Sequence, residues 1–197
     1  MTHINQKKRE DLPELEPLFS MVEASMGFIP NSFFTMAHWP ELLQSFGPFA
    51  GTVLGSGELD PGLKQLIAYV ASNASGCRYC QAHTSHSAEK RGVSADKISE
   101  AFEFETSSNF DEAERAALRV AMYGGITPNG VEASHMEDLA NHYTEKQIVE
   151  IVSVIALFGF LNRWNDTMAT TLEDKPKSFA ASNLSSSGWE AGKHDSG

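Results

Sequence analysis

The stretch LDPGLKQLIAYVASNASGCRYCQAHTSH, residues 59–86, sets the fold class and poses the chemical question. Leu63, Leu66, Ile67 and Val70 recur at i, i+3, i+4 and i+7, the spacing that paints one face of a helix. Asp60 before Pro61 supplies a side-chain cap and a first-turn proline. A second helix is expected to start at Ser75 or Gly76 and run to Arg91, with Gly92 as its stop. Both cysteines of the chain, Cys77 and Cys80, fall at its start, and His83 and His86 follow one and two turns on.

The grammar repeats outward from there. VSADKISEAFEF (93–104), DEAERAALRVAMYGG (111–125), GVEASHMEDLANHY (130–143) and the segment 144–174, opened by Thr144 as a cap, all carry helical spacing. The N-terminal third reads as short helices broken at Pro30, Pro40 and Gly47. No segment alternates apolar and polar residues long enough to demand a strand, so the expected class is all-α. One domain is expected over 1–197, with an N-terminal helical segment (1–58), a core (59–174) and a tail (175–197). The Ser, Gly and Ala content of that tail is that of a disordered chain, whereas Trp189 argues that it docks.

Charge narrows the function. With 26 acidic against 15 basic residues the net charge is −11, which repels phosphate backbones and anionic lipid surfaces. No apolar leader core is seen at the N-terminus. The most apolar run, Ile148 to Leu161, is interrupted by Glu150 and Ser153 and is too short to span a bilayer. A soluble, cytoplasmic protein that binds neither nucleic acid nor membrane is expected. Two cysteines cannot build a disulfide framework, so any role they have is local chemistry.

At a helix start, free backbone N–H groups and the positive end of the helix dipole favour a thiolate, and Arg78 adds a positive charge. One turn between the sulfurs lets an oxidised thiol be captured by its neighbour as a disulfide. His83 and Thr84 share a face with Cys80, whereas His86, nine residues from Cys77, points away from it. His83 is therefore the imidazole that can exchange a proton with Cys80. The same atoms spell C-x-x-C-x-x-H-x-x-H, a zinc spacing, but one helix cannot wrap four ligands round an ion, so no metal is expected. Two inert buried thiols remain the plain alternative.

Shifting the sequence by 85 positions lays residues 65–72 on 150–157 and Cys77-Arg78-Tyr79-Cys80 on Asn162-Arg163-Trp164-Asn165. This is either a repeated helical hairpin about a pseudo-dyad or the passable match of any two amphipathic helices.

Residues 63–98, LKQLIAYVASNASGCRYCQAHTSHSAEKRGVSADKI, resemble the carboxymuconolactone decarboxylase-like superfamily, in particular alkylhydroperoxidase D (AhpD) and the peroxidase-related proteins near it. MGFIPN (26–31), FLNRWND (160–166) and GWEAGKH (188–194) look like the peroxidase-related branch. The resemblance implies an AhpD-like helical bundle that forms homo-oligomers. It also implies a thiol peroxidase in which Cys80 attacks a hydroperoxide and Cys77 resolves it, with that disulfide in place of a cofactor. A dithiol donor such as a lipoyl protein would reduce it. The family's relay glutamate falls on Gln65 and its relay histidine on Thr84, one place after His83. Glutamine cannot shuttle protons. Either His83 acts alone or a carboxylate arrives from elsewhere, and the 85-residue shift offers Glu150, which holds in the second copy the place of Gln65. A lactone decarboxylase and a non-catalytic oligomer are the rival functions.

Overall fold

The computed structural model describes residues 2–195. They form α1 (Glu16–Met26), α2 (Asn31–Met36), α3 (Pro40–Leu54), α4 (Pro61–Ala74), α5 (Arg78–Lys90), α6 (Ala95–Ser99), α7 (Glu112–Gly125), α8 (Ala133–Ala140), α9 (Glu145–Met168) and α10 (Asp174–Asn183), joined by loops and short 3₁₀ turns. Among the described residues there is no strand, so the class is all-α.

Helix α4 is the axis of the bundle. Its residues from Gly62 to Ser72 are all buried, and α5, α7 and α9 pack around it. A helix enclosed on every side must satisfy whatever polar groups it carries. Lys64, 1% exposed, does so by donating to the carbonyls of Val53 (3.0 Å) and Gly55 (3.1 Å) and by pairing with Glu150 at 2.9 Å.

The turn out of α4 decides where the cysteines sit. Gly76 takes φ +78°, the left-handed conformation that glycine adopts without a Cβ penalty. The amide of Gly76 then donates to Asn73 O (2.9 Å) and that of Cys77 to Ser72 O (3.1 Å), the paired bonds that close a helix C-terminus. Cys77 leaves this turn as the N-cap of α5, so α5 begins at Arg78, later than the sequence suggests.

Helix α9, opened by the Thr144–Gln147 capping box, is long and apolar enough to cross a membrane by length and composition alone, beyond the short run read from sequence. Its inner face, Ile151, Val154, Leu157, Phe158, Asn162 and Asn165, is buried against the bundle, while Val149, Val152 and Phe160 on its other side are exposed. It holds the whole second copy of the 85-residue echo in one uninterrupted helix, whereas the first copy is α4 and α5, broken at residues 75–77.

One other expectation changes. Helix α3 continues through Gly47 and Pro48 instead of stopping, because Gly47 is where Leu18 crosses; a Cβ there would lie 2.5 Å from Leu18 Cδ1. The tail is docked, in line with the reading of Trp189: α10 packs on α5, and Trp189, 6% exposed, donates its indole N–H to Arg78 O at 3.2 Å.

Glu150 is a structural residue. Its carboxylate accepts the amides of Glu58 (2.9 Å) and Leu59 (3.3 Å) besides holding Lys64. Burial works to raise its pKa, but these amides and the Lys64 ammonium outweigh it and keep the carboxyl below its ordinary range. Replacing Glu150 by Gln leaves a buried ammonium without its counter-ion, and denaturant unfolding should show a loss of about 3 kcal/mol. A loss below about 0.5 kcal/mol, typical of a surface pair, would mean that the pair is solvent-screened.

Candidate active site

The N-terminus of α5 holds two free thiols in unlike surroundings. Cys77, as N-cap, accepts the Cys80 amide N–H on its sulfur at 3.5 Å. Cys80, one turn on, accepts from Asn165 Nδ2 at 3.5 Å. Both are buried, but only Cys80 lines a cavity of about 460 Å³. Met26, Phe28, Phe33, Phe46 and Phe158 give that cavity apolar walls; Gln65, His83, Thr84, His86 and Asn165 give it a few polar groups.

His83 is held by a carboxylate that local sequence spacing does not reveal. Its Nε2 lies 2.5 Å from Glu173 Oε2. The other oxygen of Glu173 accepts the Tyr79 hydroxyl (2.8 Å) and the backbone N–H of Asn31. Glu173 is the N-cap of α10, a place where a carboxylate ordinarily caps its own helix; here it makes no such bond and points into the site. Burial pushes its pKa up, but His83, Asn31 and Tyr79 together outweigh this, and the net direction is down, so the group is an anion. A carboxylate only accepts, so His83 presents N–H at Nε2 and, in its neutral form, a lone pair at Nδ1. The ring is fixed further by stacking on Tyr79, centroids 4.3 Å apart, and by the edge of Phe28 at 5.5 Å.

The remaining candidates separate. Gln65 lines the cavity, in agreement with its place one helix away from the thiols. Thr84 lines it too, but its hydroxyl donates to Cys80 O (2.7 Å) and Gln81 O (3.3 Å) and is not free to relay a proton. Glu150 does not line the cavity; bound to Lys64 and two amides, it is replaced as the carboxylate of the site by Glu173. His86 lies on the cavity wall with its ring against Phe28 and Phe179.

The helix start does not lower the pKa of Cys80. Burial raises it well above its ordinary value, the adjacent Cys77 raises it further, and the Asn165 amide only partly offsets them. Arg78 is no help, since its guanidinium donates to the Gln81 side-chain oxygen Oε1 at 3.5 Å. Asn165 had a signal in the sequence: the 85-residue shift aligns it with Cys80, and the fold brings the two into contact. Glu173, 90 residues from its histidine, had none.

This geometry meets known proteins at several levels. The Carboxymuconolactone decarboxylase family matches residues 40–122. The debrominase Bmp8 superposes with TM-score 0.86 at 38% identity, over 92% of this chain and 97% of that one. A cysteine-to-alanine variant of Bmp8 in complex with 2,3,4-tribromopyrrole gives 0.87 at 37%. The chain belongs to the carboxymuconolactone decarboxylase/AhpD-like family. An uncharacterized peroxidase-related protein from Ralstonia eutropha JMP134, described as an alkylhydroperoxidase AhpD core, shares the fold of this family member at TM-score 0.76 and 25% identity, over 91% and 95% of the two chains. The uncharacterized protein YnjA of Escherichia coli (strain K12) is 28% identical over 110 residues, a match spanning 56% of this chain and 60% of that protein's length.

A thiol whose pKa is raised by burial ionises only at high pH. Alkylation of Cys80 by iodoacetamide, followed by peptide mass analysis, should still be climbing near tenfold per pH unit at pH 9. A plateau reached by neutrality would contradict the direction of the shift.

Proposed function

We propose that this protein is a thiol oxidoreductase that reduces a small apolar hydroperoxide with two electrons from Cys80 and Cys77. The observation that carries the reading is the convergence of Cys80 and His83 on one apolar cavity, with His83 oriented by Glu173. His83 Nδ1 takes the Cys80 proton as the sulfur attacks the terminal peroxide oxygen. The O–O bond breaks, Cys80 becomes a sulfenic acid, and the proton returns to the departing alkoxide to give the alcohol. Cys77 then displaces the sulfenic oxygen as water, leaving a Cys77–Cys80 disulfide that an external dithiol, such as a lipoyl protein, reduces. The high pKa of Cys80 makes the proton acceptor a requirement, because little thiolate is present beforehand at pH 7.

A second reading follows from the likeness to Bmp8. The same pair can reduce a bromo-heteroaromatic: Cys80 takes the bromine, the ring carbanion takes a proton, and Cys77 displaces bromide as the disulfide forms. Both substrates present an electrophilic atom on a small apolar body, which is what the cavity walls accommodate. Val149, Val152 and Phe160 on α9, with Phe49, are exposed apolar residues that a second copy of the chain would cover in the homo-oligomer expected from the resemblance.

The test uses reduced protein mixed with one equivalent of cumene hydroperoxide or of a bromopyrrole. Cys80→Ser should abolish substrate-dependent thiol loss, and Cys77→Ser should leave a dimedone-reactive sulfenic acid at Cys80 with the peroxide. If both variants consume substrate as the parent does, or if a lactone turns over regardless of thiol oxidation, the assignment is wrong.

A further inference from the structure

Cys77 has a polar neighbourhood of its own on the side away from the cavity. Its sulfur, a carboxylate oxygen of Asp166 on α9 and a ring nitrogen of His194 in the tail all lie within 4.8 Å of one another. His194 is 1% exposed. Its Nδ1 lies 2.8 Å from Thr170 O, and since a carbonyl can only accept, the hydrogen of the neutral ring is on Nδ1. Nε2 is thereby a lone pair, fully buried, with no hydrogen-bond partner and with Asp166 Oδ1 at 3.6 Å. An unpartnered basic nitrogen in a core costs free energy unless something with a proton visits it. The Cys77 thiol is the proton-bearing group of that cluster.

We propose that His194 is the proton acceptor for Cys77, so that each sulfur has its own imidazole–carboxylate pair: His83 with Glu173 for Cys80, and His194 with Asp166 for Cys77. The inference rests on the redox reading above and assigns its second step. As Cys77 attacks the sulfenic sulfur of Cys80, its S–H proton passes to His194 Nε2. The S–S bond forms, the S–O bond breaks, and the proton neutralises the departing hydroxide, giving water. Asp166 faces the imidazolium that forms transiently, and Lys193 Nζ, 2.8 Å from Asp166 Oδ2, keeps that carboxylate in place. Burial lowers the pKa of His194 before the carboxylate and Thr170 raise it in part, which keeps the ring neutral and ready to accept.

The tail is held where this requires. Leu172 N donates to His194 O at 2.9 Å, and the Trp189 indole is bonded to Arg78 O beside the cysteines. His194 does not line the cavity, so it has no route to the first step.

The experiment separates the two steps in a single turnover of the reduced full-length chain with cumene hydroperoxide. Dimedone trapping reads sulfenic acid at Cys80, and loss of 2 Da in the intact mass reads disulfide closure. His194→Asn retains a donor toward Thr170 O and lacks the Nε2 base. Sulfenic acid should form at the parental rate while closure slows by at least tenfold and the dimedone adduct accumulates. Closure at the parental rate would overturn the proposal. Failure of the parent itself to form either species would instead sink the redox reading. Should the variant not fold, the ¹⁵N shifts of His194 in the parent decide: an unprotonated Nε2 supports the assignment, a protonated Nε2 refutes it. Stoichiometric zinc, bound by the parent in dialysis and lost in His194→Asn, would refute it as well, making the cluster a metal site.

Discussion

A single buried carboxylate ties the site together. Glu173 accepts from the Asn31 amide at the start of α2, the Tyr79 hydroxyl and the His83 imidazole on α5, while belonging itself to the segment that leads into α10. Three parts of the chain that share no sequence neighbourhood are thereby fixed to one anion. Without three donors that anion would be costly to bury; with them it stays charged and dictates which nitrogen of His83 carries the proton.

The consequence for the thiols is a division of labour. Cys80 opens on the cavity but is held as a thiol by burial, so in the proposed reaction it depends on a proton acceptor such as His83 on the same cavity and not on a lowered pKa. Cys77, the buried cap of α5, does not line the cavity, so in the proposed reaction its partner is Cys80 and not the substrate. The Gly76 turn makes this possible, because it ends α4 and starts α5 within three residues, leaving the two sulfurs one helical turn apart. The polar face of α9 supplies Asn165 to one sulfur and Asp166 to the other.

Much of this was legible in the order of residues. The apolar spacing of residues 63–70, the Asp60 and Thr144 caps and the CxxC-to-His spacing gave the helices around the site and the shared face that sets Cys80 and His83 on one cavity, because those are relations within one or two turns. What failed was long-range. The relay carboxylate was sought at Gln65 or its echo Glu150, but Glu150 answers the need of the buried Lys64, a demand created only when α4 is enclosed. Glu173 sits at a helix N-cap where local rules assign it to its own amides. The docking of the tail is legible in Trp189, a large apolar ring in a polar segment, whereas the burial of His194 against α9 is not, because it depends on where the tail lands. The thiol pKa was misjudged for the same reason: a helix dipole is local, desolvation is not.

In the proposed reaction Glu173 sets the tautomer of the base that serves Cys80. Glutamine at 173 can still accept from Asn31 and Tyr79, but its amide would donate to His83 Nε2 and move the ring proton to Nδ1, leaving His83 without the lone pair that serves Cys80. The decisive measurement is the single-turnover rate of sulfenic acid formation at pH 7 in Glu173→Gln, with near-UV circular dichroism as the check on folding. The expected fall is about a hundredfold, the lower range for loss of a general base; a folded variant that reacts at the parental rate would mean that Glu173 does not set the base.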